Sequence, residues 1–177
     1  MKFEDFDFGS RYDDAHLSKI NQPDNISKAL CDWASKPKGI LFFISNPGVG
    51  KTYFCAAMCR DILEKKKNVR YMQERKLYQK MREVIQNGWD YEQELRRLCE
   101  VEFFILDDIG STQMTDFQKE VLFNFLDYRY TSNLPTIITS NIWIREMGDF
   151  FSPRFISRVK DKNNLIIEIN GKDKRQE

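Results

Sequence analysis

An apolar run, Gly39-Ile40-Leu41-Phe42-Phe43, leads directly into Ile44-Ser45-Asn46-Pro47-Gly48-Val49-Gly50-Lys51-Thr52. No other stretch restricts the fold of this chain as narrowly. The pattern predicts a buried strand that turns sharply into a helix around a bound anion. Gly48 and Gly50 let the backbone wrap a triphosphate with its N–H groups, and the next helix presents its positive end. In this arrangement a lysine reaches the β- and γ-phosphates and a threonine hydroxyl faces Mg2+. The expected nucleotide contacts are therefore Asn46, Pro47, Gly48, Val49, Gly50, Lys51, Thr52 and Tyr53, with Thr52 also a metal ligand. The usual pattern G-x-x-x-x-G-K-[ST] has a glycine where this chain has Ser45. That position is the exit from the strand, where serine is tolerated as long as φ stays negative.

Bulk properties narrow the surroundings of this loop. A length of 177 residues fits one domain with a real core. Lys and Arg total 28 against 27 Asp and Glu, so any nucleic-acid contact must come from a local patch. Cys31, Cys55, Cys59 and Cys99 lack metal or redox spacing, and they are expected to be buried thiols in a reducing cytoplasm. Nothing approaches the roughly 20 apolar residues of a membrane span, so no membrane contact is expected.

Five apolar runs, Gly39 to Ile44, Val69 to Met72, Val101 to Leu106, Thr136 to Thr139 and Leu165 to Ile169, alternate with helical or polar sequence. This is an α/β pattern. Helices are expected from Lys51 to Lys66, from Gln73 to Val84 with Asn87-Gly88 as its stop, onward to Leu98, and from Thr115 to Tyr130.

A phosphate loop alone does not separate a kinase from a GTPase or a motor ATPase. The third run narrows the choice, because Phe103-Phe104-Ile105-Leu106 ends in Asp107-Asp108. Two carboxylates then stand at the carboxyl end of a buried strand, where open α/β sheets bind ligands. Asp107 is expected to hold Mg2+ and Asp108 to orient or deprotonate an attacking water. Thr136-Ile137-Ile138-Thr139-Ser140-Asn141 is another buried strand, and Asn141 could hydrogen-bond the water or the γ-phosphate. Arg154 and Arg158 lie four residues apart on one helical face. Either they project toward a neighbouring subunit or they form surface ion pairs.

The order phosphate loop, Asp107-Asp108-Ile109-Gly110, Arg129-Tyr130, Thr139-Ser140-Asn141 and Arg154-x-x-x-Arg158 resembles the AAA+ ATPases of the DnaC, DnaI and IstB group. The resemblance spans nearly the whole chain, including a lead-in at Phe3 to Tyr12. It implies a three-layer P-loop NTPase with a five-stranded parallel sheet in the order 5-1-4-3-2 and little or no lid domain. The chain would be a single AAA+ domain over 1–177, with lead-in 1–37, core 38–170 and tail 171–177. Asn141 corresponds to sensor 1, Arg158 to the arginine finger, and Arg175 to a sensor-2-like arginine beside the nucleotide. Lys76, Tyr78, Lys80 and Arg82 would form a single-stranded DNA surface, with Tyr78 stacking on bases.

The implied cofactors are ATP and Mg2+, and the implied partners are a replicative helicase, single-stranded DNA and further copies of the chain joined through the nucleotide site. The chain starts almost directly at the ATPase core, unlike DnaC and DnaI. A helicase grip would then be confined to residues before about Pro23, unless this is a minimal version or a trimmed one. The expectation is a cytoplasmic ATPase that loads a helicase. The alternatives are an IstB-like transposition helper, an ATP-gated adaptor with little turnover, and a small-molecule kinase.

Overall fold

Strand β1, Ile40–Ser45, is buried at every position and sits inside the sheet. The computed structural model of the chain describes residues 2–6, 8–20, 24–171 and 173. Before β1 come three short 3-10 turns, at Phe3–Asp5, Ser10–Tyr12 and Leu17–Lys19, and helix α1, Asp24–Ser35. Thereafter strands and helices alternate as α2 (Lys51–Glu64), β2 (Val69–Gln73), α3 (Glu74–Gln86), α4 (Tyr91–Cys99), β3 (Phe103–Ile109), α5 (Asp116–Thr131), β4 (Thr136–Ser140), α6 (Met147–Phe150), α7 (Pro153–Val159) and β5 (Leu165–Ile169).

The five strands form one parallel sheet in the order β2-β3-β4-β1-β5, the expected order in reverse reading. Side chains on a strand alternate between faces, and the core divides accordingly. Ile40, Phe42 and Ile44 join Phe104, Leu106, Phe125 and Phe155 on one face, while Leu41 and Phe43 join Phe54, Met58, Phe103 and Ile105 on the other. Both faces are covered, which is why β1 and the first half of β3 are continuous apolar runs. Among the described residues no helix is long and apolar enough to cross a membrane.

Local signals set most boundaries. Thr115 Oγ1 accepts from the Gln118 backbone N–H and the Thr115 backbone N–H donates to Gln118 Oε1, a capping box that starts α5. Ser152 caps α7 ahead of Pro153. Strand β3 starts later than expected, at Phe103, and runs on to Ile109. Helix α1 was not anticipated. It buries Leu30, Trp33 and Ala34, and Trp33 Nε1 donates to the Lys38 carbonyl at 3.0 Å. Of the four thiols expected to be buried, Cys55, Cys59 and Cys99 are, but Cys31 is exposed on α1.

One buried cation pins the sheet to its helices. Arg129 of α5 is fully buried and donates to Thr136 Oγ1 at 2.7 Å, Val101 O at 2.9 Å, Pro135 O at 2.7 Å and the Cys99 carbonyl. Its guanidinium thus joins the entry to β4 with the connection between α4 and β3. Burial lowers its pKa to about 10, so it remains charged near neutrality. Arg129→Leu would strand several buried carbonyls, each at a cost of about 1–3 kcal/mol. Denaturant unfolding should show a loss of roughly 3 kcal/mol or more.

Candidate active site

The loop after β1 closes on its own lysine. Gly48 and Gly50 have φ of +78° and +110°, conformations that a side chain would strain. Ser45, in contrast, lies in β1 without a positive φ, so the missing first glycine is accommodated as expected. Lys51, buried in the first turn of α2, donates to Ser45 O at 3.0 Å, Asn46 O at 3.2 Å and the Asn141 side-chain oxygen. The segment after β5 passes over the loop, since a Cβ built on Gly48 would meet Asp173 Oδ1 at 1.8 Å.

The acidic end of β3 is shaped by a bulge. Leu106 pairs with Ile138, but the next pair is Ile109 with Ser140, so β3 carries one extra residue there. Asp108 absorbs it with φ of +63°, in the left-handed region that costs a non-glycine residue about 1–2 kcal/mol. The bulge separates the roles of the two carboxylates. Asp107 is 1% exposed, whereas Asp108 turns to the cavity wall.

Asp107 accepts from Thr52 Oγ1 and Tyr71 Oη at Oδ2, both at 3.0 Å, and from Thr139 Oγ1 and Cys55 Sγ at Oδ1. Burial, and then the Asp107 charge, push the Tyr71 phenol and the Cys55 thiol well up, so both stay protonated donors. Thr139 also receives the Asp108 amide at 2.9 Å, and Asn141 Nδ2 donates to Asp108 Oδ1 at 2.9 Å. Asn141 therefore bridges Lys51 and Asp108. Glu74, buried at the start of α3, accepts from Tyr78 Oη at 2.7 Å and from the Gly110 amide at 3.0 Å, holding the chain just beyond Asp108. Its pKa is raised, chiefly by burial.

Of these groups, Lys51, Thr52, Asp108 and Asn141 line a cavity of about 530 Å³ whose walls include Gly48 to Phe54. The far wall was not foreseen: Arg11, Tyr12, Lys19 and Ile20, from the turns before α1, complete it. No motif marks those four, because they line the cavity only once Arg60 of α2 holds the segment through the Ala15 and Asp13 carbonyls at 3.0 and 2.7 Å. Tyr71, Thr139 and Glu74 were likewise given no role. Only the strand-end position of Thr139, two residues before Asn141, could have suggested one.

Other expected site residues lie apart from the cavity. Arg158 donates from Nε and Nη2 to Asp127 Oδ1 at 2.9 and 2.8 Å, between the rings of Phe123 and Tyr130. Arg154 is exposed one turn earlier. On α3, Lys76, Lys80 and Arg82 keep some exposure, but Tyr78 does not. Tyr78 is 5% exposed, packed in the core with its hydroxyl bound to Glu74, so the expected base stacking on it is corrected. Arg175 lies outside the described residues.

The sequence pattern of the family described as IstB-like ATP binding protein matches residues 1–170. The chain belongs to the IstB-like ATP-binding family. Within its reach are the replicative helicase loader DnaC of Escherichia coli (strain K12), 28% identical over 129 residues, and the loader DnaI of Bacillus subtilis (strain 168), 29% identical over 118. The first alignment covers 72% of this chain and 53% of DnaC, and the second 66% of this chain and 37% of DnaI. The chain thus spans about half or less of the length of these relatives. A crystal structure of the DnaC helicase loader superposes with a TM-score of 0.79 at 24% identity, covering 91% of this chain and 99% of that one. This IstB-like protein is accordingly an ATP-binding P-loop protein with the AAA+ fold.

Because the Thr139 hydroxyl donates to the Asp107 carboxylate and accepts from the Asp108 amide, it is the most economical probe of the site. Thr139→Val keeps the volume but leaves Asp107 short of a donor and the half-buried Asp108 amide without its acceptor. Thermal or urea unfolding should show a loss of about 2 kcal/mol, against less than about 0.5 kcal/mol for an exposed Thr131→Val control.

Proposed function

We propose that this IstB-like protein hydrolyses Mg-ATP and uses the nucleotide cycle to load or remodel a helicase on single-stranded DNA. The observation that carries the reading is the chain Lys51–Asn141–Asp108 beside the Thr52–Asp107 pair, all at one end of the sheet. A hydroxyl and a carboxylate at 3.0 Å form a hard-oxygen pair suited to Mg2+, which fills its remaining positions with phosphate oxygens and water. Thr52 and Asp107 would hold the cation, and bound there it would neutralise charge on the β- and γ-phosphates.

In this reading the Lys51 ammonium leaves the Ser45 and Asn46 carbonyls for the phosphates, while the loop amides and the α2 N-terminus bind the remaining charge. Asp108 accepts a proton from the attacking water, and Asn141, already bonded to Asp108, fixes the water's position. Arg158 acts on the site of a neighbouring copy. Its ion pair with Asp127 is partly exposed, 30% and 33% for the two side chains, and such pairs are weak enough for a triphosphate to replace. Single-stranded DNA would run along α3 to the turn beyond it, where Trp89, 52% exposed and with its ring centroid 5.5 Å from Lys80 Nζ, supplies the aromatic surface that Tyr78 does not. The helicase partner follows the relatives named as loaders, and a transposition helper is the second reading, favoured by the IstB-like family match.

The ATPase rate per chain should rise with protein concentration and with single-stranded DNA, the latter stimulation falling as salt increases. Asp108→Asn should keep ATP binding and lose about 100-fold or more in turnover. Arg158→Ala should flatten the concentration dependence. A specific activity that is constant over concentration and equal in wild type and Arg158→Ala contradicts the trans arginine, and turnover unaffected by DNA contradicts the loader reading.

A further inference from the structure

Asp107 draws its four donors from different parts of the fold. Thr52 and Cys55 come from α2 and Thr139 from β4, all adjoining the phosphate loop or its neighbouring strand. The fourth, Tyr71, comes from the edge strand β2. Tyr71 pairs with Ile105, which places Asp107 two residues further along β3, the diagonal distance that a phenol can span on one sheet face. The hydroxyl reaches Oδ2, the same oxygen that receives Thr52.

The other side of the Tyr71 ring is covered from outside the sheet. Phe8 rests on it with centroids 4.0 Å apart and planes 35° from parallel. Phe8 in turn stacks on Phe3 at 5.6 Å and meets Tyr12 edge-on at 6.2 Å. This aromatic segment is fastened to α2, because Arg60 lies 4.0 Å over the Phe3 ring and donates to the Asp13 and Ala15 carbonyls. Tyr12 itself lines the nucleotide cavity. A continuous packed path therefore runs from the outer cavity wall through Phe8 and Tyr71 to the carboxylate beside Thr52.

We infer that Tyr71 is a positioning residue for the metal-holding carboxylate, and that the N-terminal aromatic segment sets its position through Phe8. The inference rests on the Mg-nucleotide reading of the site. With Oδ1 held by Thr139 and Cys55, Tyr71 is the donor at Oδ2 besides Thr52, and it would keep the carboxylate oriented toward a cation held beside Thr52. Phe8 keeps the Tyr71 ring in place by shielding it from solvent. The segment that closes the outer side of the nucleotide cavity thereby adjusts metal affinity at the inner side.

The test uses the full chain, a fluorescent ATP analogue and a MgCl2 titration, with thermal unfolding of each variant measured in parallel. Tyr71→Phe retains the ring and removes only the hydroxyl. It should raise the Mg2+ midpoint for nucleotide binding about tenfold, the usual size of an outer-shell effect, while affinity in EDTA stays near wild type and the unliganded melting temperature falls by only about 2–4 °C, the size of one lost hydrogen bond. Phe8→Leu should raise the midpoint in the same direction by a smaller factor. A purely structural role would lower the melting temperature and leave the Mg2+ midpoint in place, and that result for Tyr71→Phe overturns the inference. A shifted midpoint in Tyr71→Phe with none in Phe8→Leu overturns the part assigned to the N-terminal segment. If wild type itself shows no Mg2+ dependence, the reading of the site fails before the inference is reached.

Discussion

A carboxylate that is 1% exposed and held by hydroxyl and thiol donors is the constraint around which this fold is arranged. Removing a charge from water costs several kcal/mol unless its lone pairs are met. Asp107 meets that demand by drawing donors from α2, β2 and β4, the elements that flank β3. The order β2-β3-β4-β1 is what places those elements in reach. The same bulge that lets β3 continue past Asp107 turns Asp108 toward the cavity, so one irregularity assigns different environments to two adjacent, chemically identical side chains.

Around this centre the polar contacts are continuous. Lys51 is tied to Asn141, Asn141 to Asp108, the Asp108 amide to Thr139, Thr139 to Asp107 and Asp107 to Thr52. A change at any member reaches its neighbours directly and the far end through the bonds between. Glu74 extends the chain to α3 through the Gly110 amide, and Tyr71 extends it to the N-terminal turns. Arg129 plays the corresponding part at the opposite end of β4, where it anchors the strand entry rather than a reaction.

Much of this was legible in the residues. Apolar runs place all five strands and periodicity the helices that follow the first three, and the phosphate loop and Asp107-Asp108 mark one end of the sheet by type and spacing alone. Strand order came from family resemblance, since parallel pairing leaves no local trace in composition. Tyr78 shows how a plausible side chain is misplaced: it was read with Lys76, Lys80 and Arg82 as a surface, yet Leu77, Met81 and Val84 recur at helical spacing and carry Tyr78 inward. The cavity wall from Arg11 to Ile20 was missed because its placement depends on tertiary contacts with α2, far away in the chain, whereas the helical spacing of Ile26, Leu30 and Trp33 did mark α1. Arg158 was found by its spacing, but its partner Asp127 lies 31 residues away, beyond any local pattern.

The central claim is that main-chain amides and Lys51 cup a polyphosphate beside a cation held by Thr52 and Asp107. Calorimetric titration of ATP into the intact chain, with Mg2+ and again with EDTA, measures this most directly. The account predicts one site per chain that binds at least about tenfold more tightly with Mg2+. Folded protein that takes up no ATP, or takes it up equally well without the cation, would contradict it.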